Sequence, residues 1–443
     1  MSATRLRRYF LSFMLYVMFV PGAVTAQGLS AVERKIAALV EEQYDEAVKL
    51  LRRSVNINSG TFNLKGVRKV GRVYRRELAA LGFDVQWLPM PDRMKRAGHL
   101  FAYRWGTQGK GVLLIGHLDT VFEKDSPFQR FAMGDTTATG PGVNDMKGGN
   151  VAIIYALRAL YDLGLLDNTR IIVAFHGDEE EAGRPVAVSR RDIRAAAREC
   201  DVALGFEGGV PGTGTIARRG ISGWQLQVEG TQGHSSAVFG EQYGSGAIYE
   251  AARILYTFYD DVRGEEYLTF NPGVLLGGTM VQFDPEAYRG RAFGKSNVIA
   301  QIVAASGDLR FFADEQKEQA RDKMRTIVSH HLPGTSATIS FTDSYPAMSP
   351  TEGNYALLAM YDQVSRDLGL GAIQAYDPAG RGAADVSFVA AQLDCMDGLG
   401  VEGKGAHTVH ETIHLPSLTR ATQRAAVLIY RLTRAQNDGL NQQ

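Results

Sequence analysis

Two stretches of this chain are apolar without a break, Val112-Leu113-Leu114-Ile115 and Ile171-Ile172-Val173-Ala174-Phe175. A strand buried on one face alternates apolar and polar residues. An unbroken apolar run fits a strand covered on both faces, as in parallel sheets with helices above and below. Between the two runs, residues 151–163 place Ala152, Tyr155, Ala156, Ala159, Leu160 and Leu163 at helical spacing. Strand, helix, strand is the unit of an α/β fold, so the chain is expected to build a mostly parallel twisted sheet flanked by helices. At 443 residues it is long enough for two or three domains.

The texture changes near Gly220. Residues 223–229 alternate, with Trp224, Leu226 and Val228 on one side and Gln225, Gln227 and Glu229 on the other, the pattern of a half-exposed strand. A helix is expected near 247–259, strand-like runs at 298–303 and 308–312, and a second helix near 315–331. That β-α-β-β-α-β order predicts a small ferredoxin-like α+β domain over residues 219–332, inserted into a main domain made of 27–218 and 333–443. Main-domain helices are expected near 355–368 and 418–433.

Residues 1–26 read as an export signal. Arg5, Arg7 and Arg8 precede an apolar run from Phe10 to Val20, and Val24-Thr25-Ala26 offers small residues for cleavage near Ala26. The run is short for a membrane span, and Arg7-Arg8-Tyr9-Phe10-Leu11 also resembles a twin-arginine signal. An exported, periplasmic protein is the expectation. No other stretch reaches eighteen apolar residues, so no membrane partner is expected after signal removal. Lys plus Arg and Asp plus Glu both number 48; without a basic excess, a dedicated nucleic-acid binder is not expected. Cys200 and Cys395 are too few for a disulfide scaffold or a four-thiolate zinc site, which leaves one bridge between them open.

Four polar clusters are expected at strand ends: Gly116-His117-Leu118-Asp119, the glycine-rich loop 140–149 that presents Asp145, Asp178-Glu179-Glu180-Glu181, and Glu207 after Val202-Ala203-Leu204-Gly205-Phe206. Active sites of open α/β sheets lie outside the carboxyl ends of the strands, so these groups are expected to converge. Gathered carboxylates repel one another unless cations compensate, and imidazole with carboxylate donors suits zinc or a similar divalent metal. Residues i and i+2 of a strand share a side, so Asp119 is expected to orient the His117 ring. A single strand-end Asp more often makes a turn, and a charge run is usually solvated. Four such clusters at successive strand ends argue for a site.

His410-Glu411-Thr412-Ile413-His414 matches the helical zinc-protease pattern H-E-x-x-H. The match is read as accidental. Glycines at 400, 403 and 405 precede it, Thr412 and Ile413 are β-branched, Pro416 follows, and no Glu occurs after Glu411.

His117-x-Asp119, the Gly140-Pro141-Gly142-x-x-Asp145 loop, Asp178-Glu179-Glu180, Phe206-Glu207 and His407-x-x-x-Glu411 together resemble the five motif blocks of the co-catalytic zinc peptidases. That family includes acetylornithine deacetylase, succinyl-diaminopimelate desuccinylase, aminoacylase and the bacterial glutamate carboxypeptidase. The resemblance runs from about residue 51 to 432, in the family's order. It implies a catalytic domain interrupted by a dimerising lid, and two divalent metal ions per chain, zinc with cobalt or manganese as alternatives. One ion would be held by His117 and Glu207, the other by Glu180 and His407, with Asp145 bridging. Asp119 would steer His117. Glu179 would be the general base, taking the proton of a water shared by the ions and passing it to the leaving amine. His234 matches the lid histidine that reaches the partner subunit's site and stabilises the developing oxyanion. Asn297 and Arg310 match the lid residues that hold the substrate carboxylate.

The sequence departs from the family at Arg381-Gly382-Ala383-Ala384-Asp385. The glutamate carboxypeptidase carries a Gly-Gly-Thr-Asp-like stretch there, whose backbone approaches the substrate. Gly382 and Ala383 take that place here, the alanines narrow the approach, and Arg381 adds a charge. His176, His410 and His414 are expected to flank the site or lie at the surface; His99, His330 and His331 have no assigned role. The expected protein is a homodimeric di-zinc amidohydrolase, a metallo-carboxypeptidase that cuts an amide beside a free carboxylate in small peptides or N-acyl amino acids. Export favours peptide scavenging, and an N-acyl-amino-acid deacylase is the alternative within the class. From another class, a catalytically silent binding protein on the same fold would lack a ligand or Glu179, and the sequence keeps both. No G-x-S-x-G elbow or P-loop occurs.

Overall fold

The computed structural model describes residues 28–285 and 289–434; the export signal expected over 1–26 lies outside them. The main sheet has six strands in the order Asp84–Leu88, His99–Arg104, Thr169–His176, Gln108–His117, Val202–Gly205 and Asp394–Met396. The last four are mutually parallel, and His99–Arg104 pairs antiparallel with both its neighbours. The sheet is therefore mixed, with the expected parallel character in the half that carries the motifs. Val112 lies opposite both Ile171 and Val202, His117 lies opposite His176, and the Phe206 N–H donates to Ile115 O at 3.1 Å. Three adjacent strands thus finish level, and the residues after them emerge along one edge.

The helix Gly148–Asp162 is buried at every position through Leu160 except Arg158. A helix apolar on all sides must be covered on all sides. It packs against the strand Gln108–His117 and against helices Ala31–Glu42, Tyr44–Val55, Leu64–Ala80 and Pro416–Leu432. Cys200 and Cys395 are buried free thiols, so the bridge left open by the sequence is not formed. Among the described residues no helix is long and apolar enough to cross a membrane.

The inserted domain has its own antiparallel sheet, ordered Thr269–Gly278, Ile302–Phe311, Gly220–Gly230, Thr335–Asp343. Helices Ala247–Thr257 and Asp314–Ser329 pack against it and against each other. In chain order this is β-α-β-β-α-β with the ferredoxin-like arrangement. Trp224, Leu226 and Val228, the apolar side of the alternating strand, meet Ile254, Phe258, Met324 and Val328 in a core separate from that of the main domain.

Two expectations need correction. The runs at 298–303 and 308–312 overlap a single strand, Ile302–Phe311. Its missing partner is Thr269–Gly278, hidden in the sequence by Pro272-Gly273, where the pairing register slips between Pro272 and Val274. The last strand of the sheet, Thr335–Asp343, pairs with the first, so the inserted domain extends past the expected boundary at 332. Here alternation rather than a composition shift marks the end: Ala337, Ile339 and Phe341 face the core between Thr and Ser. A hairpin, Met280–Asp284 with Arg289–Phe293, was not anticipated.

Candidate active site

His117 ends its strand with its ring buried. Its Nδ1 lies 3.0 Å from the backbone carbonyl of Asp119 and 3.5 Å from Asp119 Oδ1, which leaves Nε2 to face Asp145 Oδ1 at 3.1 Å and Glu207 Oε1 at 3.7 Å. Asp119 therefore orients the ring with its carbonyl in closer contact than its carboxylate. The carboxylate serves the next strand end. It accepts the Thr61 hydroxyl at 2.7 Å and the backbone N–H groups of Glu179 and Glu180 at 3.0 and 3.2 Å, which fixes the turn that carries both acids.

Asp145 stands between two imidazoles. Its Oδ2 is 3.1 Å from His407 Nε2, and that nitrogen is also 3.1 Å from Glu180 Oε2. The loop before it turns at Gly142, with φ at 74°, and a Cβ there would stand 2.5 Å from Thr120 Cγ2; glycine is required on both counts. Glu411 closes the loop, accepting the N–H groups of Gly142, Asn144 and Asp145 at 2.9, 2.8 and 2.9 Å. Its neighbours Thr412–His414 form a short strand, so His410 and His414 never share a helical face and the H-E-x-x-H match is accidental. His407 itself sits at φ 65°, a region costly for a residue with a Cβ.

Burial, reinforced by the carboxylates of Glu207, Asp385 and Glu180, holds the Glu179 carboxyl well above the usual range against the opposing pull of His117. Burial and Asp145 push Glu207 up to about 8. Burial also works on Asp145, but His117 and His407 outweigh it and hold that carboxyl low. His407, bonded to Asp145 and Glu180, is pushed up to about 11.

Behind the acid turn lies a network that the sequence did not announce. Arg190, fully buried, donates to Asp178 Oδ1 at 2.6 Å, Asp385 Oδ1 at 2.7 Å and the Tyr345 hydroxyl at 2.9 Å, and that hydroxyl donates to the Glu179 carbonyl at 2.8 Å. His176, expected beside the site or at the surface, is buried with Nδ1 2.5 Å from Asp385 Oδ2. His99 is buried too, its Nδ1 accepting the Gly177 N–H at 3.2 Å. A buried charge set of this kind holds only when each member is paired.

The inserted-domain residues lie elsewhere. His234 Nδ1 bonds the Ser236 hydroxyl at 2.8 Å, Asn297 O accepts the Ser235 N–H at 3.0 Å, and Arg310 pairs with Asp308 at 2.9 Å. His234 and Asn297 are thus neighbours on the exposed surface, and none of these bonds joins them or Arg310 to the acid cluster. Gly382 is exposed and Ala383 half-buried. Ala384 and Asp385 line a small cavity with His117, Glu179 and Glu207.

The donor set suits divalent cations. Ligand atoms of His117, Glu179 and Glu207 lie within 4.8 Å of one another, as do those of His117, Asp145 and Glu180. Two imidazoles with hard carboxylates are zinc-type donors. The match to the peptidase family M20/M25/M40 spans residues 113–431 and so includes every one of these residues. The chain belongs to that family. It is a metal-dependent hydrolase. It is 28% identical to carboxypeptidase G2 of Pseudomonas sp. strain RS-16, over 96% of this chain and 97% of the relative. A succinyl-diaminopimelate desuccinylase of Gluconacetobacter diazotrophicus is 27% identical, over 80% and 89%. In fold, the M20 chain resembles aminopeptidase PepT of Bacillus cereus, with TM-score 0.71, 16% identity and coverage of 88% and 98%. It also resembles the M20 metallo-carboxypeptidase Sso-CP2 of Sulfolobus solfataricus, with TM-score 0.63, 15% identity and coverage of 88% and 99%.

Proposed function

We propose that the protein is an exported di-zinc carboxypeptidase that hydrolyses the amide beside a free carboxylate in small peptides or N-acyl amino acids. The observation that carries this reading is Asp145, with one oxygen toward each imidazole while Glu207 and Glu180 stand on the outer sides. His117 and Glu207 would hold one cation, His407 and Glu180 the other, and Asp145 both. Bound cations would polarise the amide carbonyl and make a water acidic near neutrality. Glu179, whose buried carboxyl has a raised affinity for protons, takes the water's proton and delivers it to the leaving amine.

Arg310 and Asn297 would hold the substrate carboxylate, and His234 would stabilise the oxyanion in the partner subunit's site. The inserted domain offers a surface for such a partner. Ile248, Tyr249 and Tyr256 are exposed on the helix Ala247–Thr257, beside Leu275 of the edge strand Thr269–Gly278. An apolar helix face next to an open sheet edge suits a second copy related by two-fold symmetry. The relative named carboxypeptidase G2 aligns over nearly the whole chain and favours the peptidase reading over deacylation.

The test is a panel of dipeptides, N-acyl amino acids and their carboxamide analogues, offered to the zinc-loaded protein. Cleavage should require the free carboxylate, with dipeptides ahead of simple acyl derivatives. Equal turnover of the carboxamides would overturn the reading.

A further inference from the structure

The loop 378–385 runs from the surface to the cavity beside Glu179 and Glu207, and Arg381 stands in it, half-buried. Its guanidinium lies over the Tyr376 ring at 4.9 Å and gives Nε to the Thr215 hydroxyl at 3.0 Å. Its Nη2 is buried with no acceptor among the described residues. The Arg218 guanidinium is close by and 4% exposed. It gives Nε to Asp397 Oδ2 at 2.7 Å and Nη1 to the Gly382 carbonyl at 2.8 Å, and its Nη2 likewise finds no acceptor.

Asp397 bonds Arg218 and makes no hydrogen bond to Arg381 among the described residues. Its Oδ2 is engaged by Arg218, and its Oδ1 accepts the N–H groups of Gly398 and Glu207 at 2.6 and 3.3 Å. Two guanidinium groups therefore share one committed carboxylate. Burial and the Arg218 charge hold Arg381 below the usual arginine range, against the pull of Asp397 and Glu207. A buried donor on a cation is among the costliest groups to leave without an acceptor. A planar fork is suited to a carboxylate, and this one lies within electrostatic reach of Glu207.

We propose that Arg381, backed by Arg218, receives a carboxylate on the acyl half of the substrate. The preferred compounds then carry an anionic group on each side of the scissile amide, an acidic residue or a dicarboxylic acyl group on the Arg381 side. The inference rests on the amidohydrolase reading for its place in a reaction, and on the paired guanidiniums for the site itself. Arg310 and Arg381 belong to different domains and serve opposite ends of the substrate.

The test compares glutarate with its monoamide, glutaramate, by calorimetric titration of the metal-loaded protein. Both probes offer one carboxylate to the cations, and only glutarate offers a second. Wild type should bind glutarate about tenfold more tightly. In Arg381→Gln the preference should shrink to within about twofold with glutaramate affinity unchanged, and Arg381→Lys should keep part of it. A wild-type protein without preference, a preference that survives Arg381→Gln, or an equal loss for both probes would overturn the proposal, the last marking Arg381 as a brace of its loop. N-glutaryl and N-glutaramoyl derivatives of one amino acid separate the two readings. If neither is cut while the binding preference tracks Arg381, the anion site stands and the amidohydrolase reading falls. If both are cut equally, only the anion site falls.

Discussion

Glu411 Oε1 accepts the backbone N–H of Asp145 at 2.9 Å, so the carboxylate between the two imidazoles is aimed by a residue from the far end of the chain. Glu411→Ala should leave three loop N–H groups without their acceptor and lower metal affinity by about 10–100-fold. Titration with zinc under a competing chelator reads this directly, and Glu411→Gln should retain part of the affinity. Unchanged binding in the alanine variant would uncouple the loop from the site.

Two ions per chain are expected by metal analysis, since five donors exceed one tetrahedral site. One tightly held ion with full activity would contradict the paired arrangement. Uptake should also release protons. In the metal-free protein His407 keeps its proton up to about 11 and His117 is raised as well, whereas a cation takes neutral imidazole. Apparent affinity should therefore rise with pH through the neutral range and fall in acid, and calorimetry in buffers of different ionisation enthalpy counts the protons. The raised His407 also bears on the stability of the metal-free fold. Its contribution is full below the ordinary histidine value of 6.5 and is lost as pH climbs toward about 11, so the metal-free melting temperature should drop on the alkaline side.

Glu179→Gln and Glu180→Gln should part company although the residues are adjacent. The first keeps every assigned ligand, so kcat should fall at least ~10²-fold with metal content intact. The second should shed metal. The reverse pattern would shift the roles within the acid run by one residue.

The His234 ring is exposed and hydrogen-bonds within its own turn, as a residue acting on a second subunit would. His234→Ala and Glu179→Gln chains should each be inactive alone. In a mixed dimer one site carries both lesions and the other neither, so subunit exchange should restore about half the wild-type rate per heterodimer. Exchange without recovery, verified by mass, rules out action across the interface.

The strand ends were legible because apolar runs and polar clusters differ sharply in composition, and the sheet's register then forces His117, Glu180 and Glu207 to one edge. The long-range supports were not legible. Arg190 joins Asp178 to Asp385, and nothing local in the sequence pairs residues so far apart. Asp119 shows the same limit: strand periodicity found its side of the sheet, but not the N–H groups of Glu179 and Glu180 that its carboxylate holds. The strand Thr269–Gly278 was hidden by its own proline, and its end on the Arg310 strand became visible only through pairing, Thr269 with Arg310.

The chain enters and leaves the inserted domain side by side. Arg218 and Met348 exchange both backbone hydrogen bonds at 2.9 Å, and the Ile221 N–H reaches Tyr345 O at 2.8 Å. Such a pair has α-carbons roughly 5.5 Å apart, a gap that two or three residues bridge. The 222–344 segment beyond these stems is thus a cassette, and Tyr345, which braces Glu179, stays with the main domain. A short turn in its place would close the main domain without disturbing the order of its strands, and a different cassette at the same two stems would leave the acid cluster where it is. The backbone thus joins the acid cluster and the inserted domain at one narrow doorway.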